Sequence, residues 1–321
     1  MRIPPYHLRP NKAVDRLTLV DAIKRVGTAG DLRRYTYYGM GGPYLEDFRL
    51  IYELYPEMKM VCIEEKEHIY KRQQFHLPCR STRLKLQRID FSSFLAKYEA
   101  KDEKSVFWLD YTDLEFNHFD DFMDLLGKVG ANSVIKITLR CNPKDYQDQE
   151  PQKQLKKQED FQKKFETVLP GAFAAVPIKV QDFGLLVQEM LQIASQKALP
   201  GAAQTTFLPL SSFFYNDGTA MFTLTGLVCL RSDVARFRKL FKNWQFANLD
   251  WGAPTEINVP NLSTKERLHL QRHLPHGKNA GRKLRLSLGY LLNADIAETE
   301  IQLQQYADFH RYFPYFIKAT P

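Results

Sequence analysis

The sequence contains little cysteine and no long apolar run. Only four of its 321 residues are cysteine, and they stand far apart at Cys62, Cys79, Cys141 and Cys229. Without a CxxC pair, this spacing argues against a zinc ribbon or a disulfide framework and predicts a reducing, cytoplasmic setting. No apolar stretch approaches the ~20 residues of a membrane helix, and no apolar segment follows the N-terminal charges as in a secretory signal. We therefore expect a cytoplasmic globular protein without membrane contact.

Strand and helix patterns alternate along the first half of the chain. Five segments with apolar or β-branched character predict strands, namely RRYTYYG, KMVCIEE, TRLKLQRIDF, SVFWLDYTD and NSVIKITLRC. Helical patterns separate them, including PYLEDFRLIYELY with Pro43 in its first turn and SSFLAKYEA with a serine cap. Such alternation predicts an α/β fold with a doubly wound, mostly parallel sheet.

The pattern changes after the fifth predicted strand. Residues 144–166 are polar and predict a mobile insertion, either a loop or an exposed helix. Two β-rich runs then flank Asn216-Asp217-Gly218, a strong hairpin signal. The sheet is therefore predicted to have seven strands and to end in an antiparallel hairpin. From residue 231 onward the pattern is helical, with a capping box formed by Ser263 and Glu266.

Three glycines in four positions, Gly39-Met40-Gly41-Gly42, separate the first predicted strand from the following helix. Bare backbone N–H groups at such a turn favour an adenosine-type or phosphate-bearing ligand, whereas a tight turn is the simpler alternative. The nicotinamide fingerprint GxGxxG fails because Tyr44 takes the place of the third glycine. No Gly-Lys-Ser/Thr follows, so the Walker pattern fails as well.

Acidic residues stand where the next predicted strands end. Glu64-Glu65 follows the second strand, Asp90 the third, and Asp110 closes the fourth. An acid ~20 residues beyond the glycines suits a ribose diol, and Asp90 or its backbone suits an adenine amino group. Because the carboxyl ends of parallel strands share one edge of a sheet, we expect these residues to lie together.

In order and spacing, these glycines and acids, followed by the terminal hairpin, resemble the class I S-adenosylmethionine-dependent methyltransferases. The resemblance spans roughly residues 30–230 and implies S-adenosyl-L-methionine as the cofactor. It implies a cofactor site made of Gly39, Gly41, Gly42, Glu64, Glu65, Asp90 and Asp110. It also implies three regions: an N-terminal helical segment (1–30), a Rossmann-like cofactor domain (31–230) and a helical substrate or partner region (231–321).

Two departures from that family leave the acceptor atom open. Tyr37-Tyr38 replaces the acid that usually precedes the glycine loop, and the segment Asp110–Asp113 lacks the paired prolines of amino-methylating nucleic-acid enzymes. A hydroxyl or amide acceptor requires a base, for which Asp110 and Asp113 are the candidates. Tyr111 is the candidate for stacking on or orienting the acceptor. The structural alternatives are a helix N-cap for Asp113 and core packing for Tyr111.

Positive charge is concentrated in two stretches. Residues 68–88 carry six lysines and arginines without an acid, and residues 261–285 carry seven against Glu266 alone. These stretches predict RNA or DNA binding through Lys71–Arg88 and Lys265–Arg285, with solvated and charge-balanced faces as the alternative. Nucleic acid is therefore the leading acceptor class, with small molecules and proteins as the open alternatives.

Histidines in the second basic stretch do not form a recognisable metal motif. An HExxH pattern at His269 and His273 would need glutamate at Leu270, and with His276 they have no carboxylate partner beyond Glu266. We predict no metal. Besides a methyltransferase, two other functions remain open. One is a non-catalytic module that binds nucleic acid or a protein partner within a complex, and the less favoured one is a nicotinamide oxidoreductase.

Overall fold

The computed structural model describes residues 9–28, 30–78, 83–99, 103–274, 277 and 279–313. The strands are β1 Tyr35–Gly39, β2 Lys59–Ile63, β3 Leu84–Gln87, β4 Lys104–Asp110, β5 Ser133–Arg140, β6 Thr205–Asn216, β7 Ala220–Leu230 and β8 Thr255–Ile257. The helices are α1 Pro10–Gly27, α2 Glu46–Leu54, α3 Glu67–Phe75, α4 Phe91–Lys97, α5 Phe116–Lys128, α6 Pro151–Phe165, α7 Val180–Ala198, α8 Val234–Phe241, α9 Thr264–Gln271, α10 Ala280–Leu288 and α11 Ile296–Phe309.

In the described residues, eight strands form one sheet in the order β3-β2-β1-β4-β5-β7-β6-β8. Strands β1 to β5 pair in parallel, whereas β7 pairs antiparallel with β5. Gly218 turns the chain between β6 and β7 with a φ of +93°. The predicted α/β class and the hairpin at Asn216-Asp217-Gly218 are thus confirmed. The sheet has one strand more than predicted, because β8 is only three residues long and too short to show an alternating pattern.

Two predicted helix starts are corrected. Helix α4 begins at Phe91 and is capped by Asp90, whose side chain accepts a 2.8 Å hydrogen bond from the Ser93 N–H. An aspartate caps as well as a serine, so Asp90, which follows β3 and precedes both serines, becomes the cap. Helix α2 begins only at Glu46, with Leu45 as its N-cap at a φ of 53°. Pro43 therefore precedes the helix instead of lying in its first turn.

The polar stretch 144–166 is largely helical. A 3-10 turn, Pro143–Tyr146, precedes α6, whose Phe161 and Phe165 are buried in the core while most of its charged residues stay exposed. Two phenylalanines four residues apart occupy one face of a helix, so they attach an otherwise polar segment to the sheet.

Contacts divide the chain into two compact units. The larger comprises Leu19–Phe214 and Thr219–Thr255, and the smaller comprises Met1–Thr18, Tyr215–Gly218 and Glu256–Pro321. In the smaller unit, the predicted capping box of Ser263 and Glu266 is confirmed at the start of α9. The predicted regional borders at residues 30 and 230 stay predictions. Across the described ranges, no helix combines the length and apolarity that a membrane crossing requires.

The sheet of the larger unit has one apolar and one partly polar face. Phe107 and Leu109 of β4 belong to a buried cluster that also includes residues of α4, α5 and α7. On the other face, the indole Nε1 of Trp108 donates to Thr138 Oγ1 at 3.0 Å. Lys136, also fully buried, donates to Thr225 Oγ1 at 3.5 Å. Alternation along the strands separates these two sets of side chains.

Candidate active site

The loops that carry the predicted site residues lie side by side at the carboxyl edge of the sheet. Gly39, the last residue of β1, is in register with Cys62 of β2 on one side and with Trp108 of β4 on the other. Glu64 follows β2 by one residue, and Asp110 ends β4. The structure therefore brings Gly39–Gly42, Glu64 and Asp110 to adjacent strand ends, as the sequence predicted, while Asp90 lies farther out beyond β3.

Packing inside the protein accounts for at least one of the glycines. A Cβ on Gly41 would lie 2.8 Å from Leu45 Cδ2 and from Phe48 Cε2, and 3.0 Å from Cys62 Sγ. No side chain fits there, because all three neighbours are buried. The bare Cα of Gly41 thus lets the loop close tightly onto α2 and β2.

Gln73 on α3 contacts the backbone of this loop, and the sequence analysis did not identify it as a site residue. It is fully buried, and its Nε2 donates to the backbone carbonyl of Gly41 and, at 3.5 Å, to that of Gly42. The sequence does contain a signal, because Gln73 lies three and four residues after Tyr70 and Ile69 and so shares their helix face. A polar residue on a half-buried face indicates a specific partner.

The two acids after β2 differ in their surroundings. The Glu64 side chain is half-buried, and its Oε1 accepts a 2.8 Å hydrogen bond from the Lys66 N–H. Burial raises the pKa of Glu64, since desolvation disfavours the carboxylate. Glu65 is exposed and lies 3.8 Å from the Lys66 ammonium. Glu64 is thus the acid of this pair that is held in place beside the glycine loop.

Asp90 is exposed, and helix capping already engages its carboxylate. Hydrogen bonds from the Ser93 side chain and backbone lower the pKa of Asp90. One oxygen, Oδ1, accepts the Ser93 N–H. If Asp90 contacts an adenine ring, the same carboxylate therefore has to cap α4 as well.

Tyr111 is engaged within the protein. Its O–H donates to Asp121 Oδ2 at 2.7 Å, and Asp121 Oδ1 accepts from Ser92 Oγ at the same distance. Burial, followed by the nearby Asp121 carboxylate, raises the pKa of Tyr111 well above its usual range. The ring stacks on His118 with centroids 3.8 Å apart. These contacts match the core-packing alternative, while a role in orienting the acceptor stays a prediction.

Asp113 is not a helix cap. Glu115 caps α5 in a reciprocal box with His118, whose Nδ1 accepts the Glu115 N–H at 3.3 Å. The N-cap alternative for Asp113 was therefore wrong, because the chain needs two more residues before it turns into α5. The Asp113 side chain is 59% exposed and its Oδ1 lies 3.4 Å from His118 Nε2. It is an accessible carboxylate three residues after Asp110, and the imidazole next to it is buried.

His118 is held in one orientation, and its surroundings favour the neutral ring. Burial lowers the pKa of His118, more strongly than the nearby carboxylates raise it. Because Nδ1 accepts a backbone N–H, the neutral ring carries its proton on Nε2, the atom that faces Asp113. The imidazole can therefore support an anionic Asp113, but it cannot itself act as a base in this arrangement.

The described basic side chains are partly neutralised in space. Lys71 and Arg88 lie 2.8 and 3.6 Å from the same carboxylate, Glu67, and Arg83 pairs with Glu57 at 2.6 Å. In the second stretch, Arg267 is only 8% exposed. Nucleic-acid binding through Lys71–Arg88 and Lys265–Arg285 stays a prediction.

The histidines of α9 do not assemble a metal site in the described structure. His269 Nε2 lies 2.9 Å from the Ser287 carbonyl oxygen, and its ring centroid is 5.3 Å from that of His273. His276 lies outside the described residues. Among the residues with described positions, no group of three or more histidine, cysteine, aspartate or glutamate side chains could hold a metal ion.

The donor set at the sheet edge fits an adenosine-type cofactor. It combines the half-buried carboxylate of Glu64, suited to a ribose diol, with a glycine loop whose Cα atoms leave the backbone bare. The strand order places both beside Asp110, whose negative charge suits a sulfonium.

Solved structures similar to this chain include three distant ones. A Pyrococcus horikoshii protein described as a transferase is 13% identical, with 65% of this chain and 63% of that one covered and a TM-score of 0.36. LepI in complex with S-adenosylmethionine is 10% identical, with 64% and 46% covered and a TM-score of 0.37. The N-methyltransferase NodS from Bradyrhizobium japonicum, bound to S-adenosylhomocysteine, is 7% identical, with 67% and 87% covered and a TM-score of 0.37. The chain thus spans less than two thirds of the first two proteins, and similarities this distant do not bear on the reaction.

Comparison with protein families gives a match along nearly the whole chain, whereas no curated protein matches significantly. The family model described as "Putative O-methyltransferase" matches residues 4–321. This match confirms the enzyme class and the S-adenosylmethionine cofactor that the sequence predicted. The chain belongs to this O-methyltransferase family.

Proposed function

We propose that this protein transfers a methyl group from S-adenosylmethionine to an oxygen atom of an acceptor bound over the carboxyl ends of β1 and β4. One observation carries the proposal. Gly39 is in register with both β2 and β4, so the glycine loop, Glu64 and Asp110 flank one site. The family match supports oxygen as the acceptor atom.

The proposed roles follow from the position of each side chain. Glu64 accepts hydrogen bonds from the ribose hydroxyls, and the backbone of Gly39–Gly42 meets the methionine portion. Asp90 borders the adenine. Asp110, at the end of β4, faces the sulfonium, where its charge favours the bound cofactor. In this assignment the ribose contact goes to Glu64 and not to Glu65, which is exposed beside Lys66.

When bound, the cofactor supplies an electrophilic methyl group. The protein then has two tasks: to align the acceptor oxygen with that group and to remove the acceptor proton. Asp113 takes the proton, because its carboxylate is exposed at the edge and lies 3.4 Å from His118 Nε2, which orients it. Tyr111 and Asp121 hold the segment that carries Asp113 against α5.

The test begins with calorimetric titration of S-adenosylhomocysteine, with NADH as the control ligand. We expect binding of S-adenosylhomocysteine alone. The protein is next incubated with S-adenosylmethionine carrying a deuterated methyl group and with separated small-molecule, RNA and protein fractions. Mass spectrometry should locate the label on oxygen. Equal binding of NADH, or label on nitrogen only, would contradict the proposal.

The predicted nucleic-acid acceptor is decided in the same experiment. Label in the RNA fraction, with an affinity that falls steeply as salt rises, would support the basic stretches as phosphate contacts. Label confined to small molecules would exclude that expectation. If S-adenosylhomocysteine binds and no fraction is labelled, a non-catalytic module becomes the better description.

A further inference from the structure

Gln73 is a buried polar side chain placed beneath the cofactor loop. Its neighbours on α3 at positions 71, 72 and 74 are exposed, whereas Gln73 is the buried residue of this helix. Its Nε2 reaches across 32 residues of sequence to the carbonyl oxygen of Gly41 and contacts that of Gly42 as well. The amide thus ties α3 to the strand-to-helix turn at the candidate site.

The acceptor end of this amide is unsatisfied within the described structure. Gln73 Oε1 is buried and has no hydrogen-bond partner among the described residues. An unsatisfied buried acceptor costs roughly 1–3 kcal/mol, and a methionine of similar shape would remove this acceptor but leave the Gly41 carbonyl without the Nε2 donor. The donor end of Gln73 is therefore the part that acts on the glycine loop.

The donor end fixes the direction of one peptide group. In a trans peptide the carbonyl oxygen and the following N–H point in opposite directions. With the Gly41 carbonyl held toward α3, the N–H of Gly42 points to the other side of the loop. Gly41 is buried, whereas Gly42 is partly exposed. Of these two amides, Gly42 is therefore the one directed away from the protein core.

We propose that Gln73 is a positioning residue that holds the Gly42 N–H toward the carboxylate of the cofactor's methionine portion. This inference rests on the proposed cofactor site and adds a residue on α3 to it. Gln73 itself touches no ligand. It acts through the carbonyl oxygens of Gly41 and Gly42, so its loss should weaken only the contact with the amino-acid end of the cofactor.

Two ligands separate this role from a general role in folding. S-adenosylhomocysteine carries the amino-acid portion, whereas 5′-methylthioadenosine has the same nucleoside and sulfur without it. We expect Gln73→Met to weaken S-adenosylhomocysteine binding about tenfold, the equivalent of one lost hydrogen bond to a charged group. The affinity for 5′-methylthioadenosine should stay unchanged. Gln74→Met, an exposed neighbour, is the matched control and should bind both ligands like the wild type.

Gln73→Glu provides a second readout in case the methionine variant folds poorly. A protonated glutamic acid can donate to the Gly41 carbonyl, whereas the carboxylate repels it. In this variant, the affinity for S-adenosylhomocysteine relative to that for 5′-methylthioadenosine should therefore rise toward the wild-type ratio as the pH falls. In the wild type this ratio should not change with pH. Equal weakening of both ligands, or an unaltered ratio in both variants, would overturn the inference. Failure of the wild type to bind either ligand would instead reject the proposed cofactor site.

Discussion

Tyr111 and His118 stack face to face, with ring centroids 3.8 Å apart and ring planes 13° from parallel. One ring follows β4 and the other lies in the first turn of α5. Together with the hydrogen bond from Tyr111 to Asp121, the stack fixes the short connection between the strand and the helix. Asp113 lies in this connection, so its position depends on the contacts of Tyr111 and His118.

Tyr111→Phe tests this support. The substitution keeps the ring but removes the donor to Asp121, which is 7% exposed and keeps only Ser92 among its described hydrogen bonds. We expect the free energy of unfolding to fall by about 1–3 kcal/mol, the cost of an unsatisfied buried acceptor, as measured by urea denaturation. Tyr290→Phe is the control, since it removes a similar bond from an exposed tyrosine to Glu266. Tyr290→Phe should change the free energy of unfolding by no more than about 0.5 kcal/mol. Similar losses in both variants would contradict a stabilising role for the Tyr111–Asp121 hydrogen bond.

Buried His118 makes stability dependent on pH. Because burial lowers its pKa in the folded protein, the unfolded chain binds a proton first as the pH falls below 6.5. The contribution of neutral His118 to the free energy of unfolding is therefore complete above pH 6.5. It is lost as the pH drops toward the pKa of His118 in the folded protein. In His118→Gln, the slope of unfolding free energy against pH should flatten in this window, as measured by urea denaturation at successive pH values. An unchanged slope would show that His118 does not titrate on unfolding.

Glu64→Gln should separate binding from stability. Losing a charged acceptor of the ribose hydroxyls should weaken S-adenosylhomocysteine binding about 10- to 100-fold, as for a charge-assisted hydrogen bond of ~1.5–3 kcal/mol. The folded pKa of Glu64 is raised by burial, so its stabilising contribution is complete below the unfolded pKa and is lost as the pH rises. The variant should therefore melt slightly higher at neutral pH, and this difference should vanish in acid.

Glu65→Gln is the matched control for that experiment. Its exposed carboxylate lies beside Lys66, so neither affinity nor melting temperature should change appreciably. If Glu65→Gln weakens binding and Glu64→Gln does not, the ribose contact belongs to Glu65.

Gly41→Ala tests the packing of the glycine loop. A Cβ would lie 2.8 Å from atoms of Leu45 and Phe48, so we expect a loss of about 1–3 kcal/mol in unfolding free energy from overpacking. Gly127→Ala in α5 is the control, because an added Cβ there would meet nothing within 4 Å outside its own helical turn. That variant should gain up to about 1 kcal/mol from helix propensity. Equal effects of the two substitutions would mean that the loop has room for a side chain.

Asp113→Asn tests the proposed base. We expect kcat for the labelled acceptor to fall about 10²- to 10⁴-fold, the usual contribution of a general base, while S-adenosylhomocysteine affinity stays at the wild-type value. Asp160→Asn, on the exposed face of α6, should leave both unchanged. If Asp113→Asn keeps its kcat and Asp110→Asn loses it, the proton goes to Asp110 instead.

Local patterns in the sequence predicted much of this fold. Alternating strand and helix patterns gave the first five strands, and Asn216-Asp217-Gly218 gave the hairpin because Gly218 readily adopts a positive φ. The acids at successive strand ends were predictable for the same reason, since the carboxyl ends of parallel strands meet at one edge. The three-residue β8 escaped prediction because its pairing comes from the sheet and not from any pattern of its own.

The sequence by itself determined which residues reach the sheet edge, because periodicity and turn chemistry act over a few neighbouring residues. Only the tertiary structure decided what each of them does there. It assigns Asp90 to a helix cap, exposes Asp113 by giving the cap to Glu115, and places Gln73 under Gly41. The last of these contacts joins residues 32 positions apart. Its partner exists only after β1, β2 and α3 have packed together, so no local pattern can predict it.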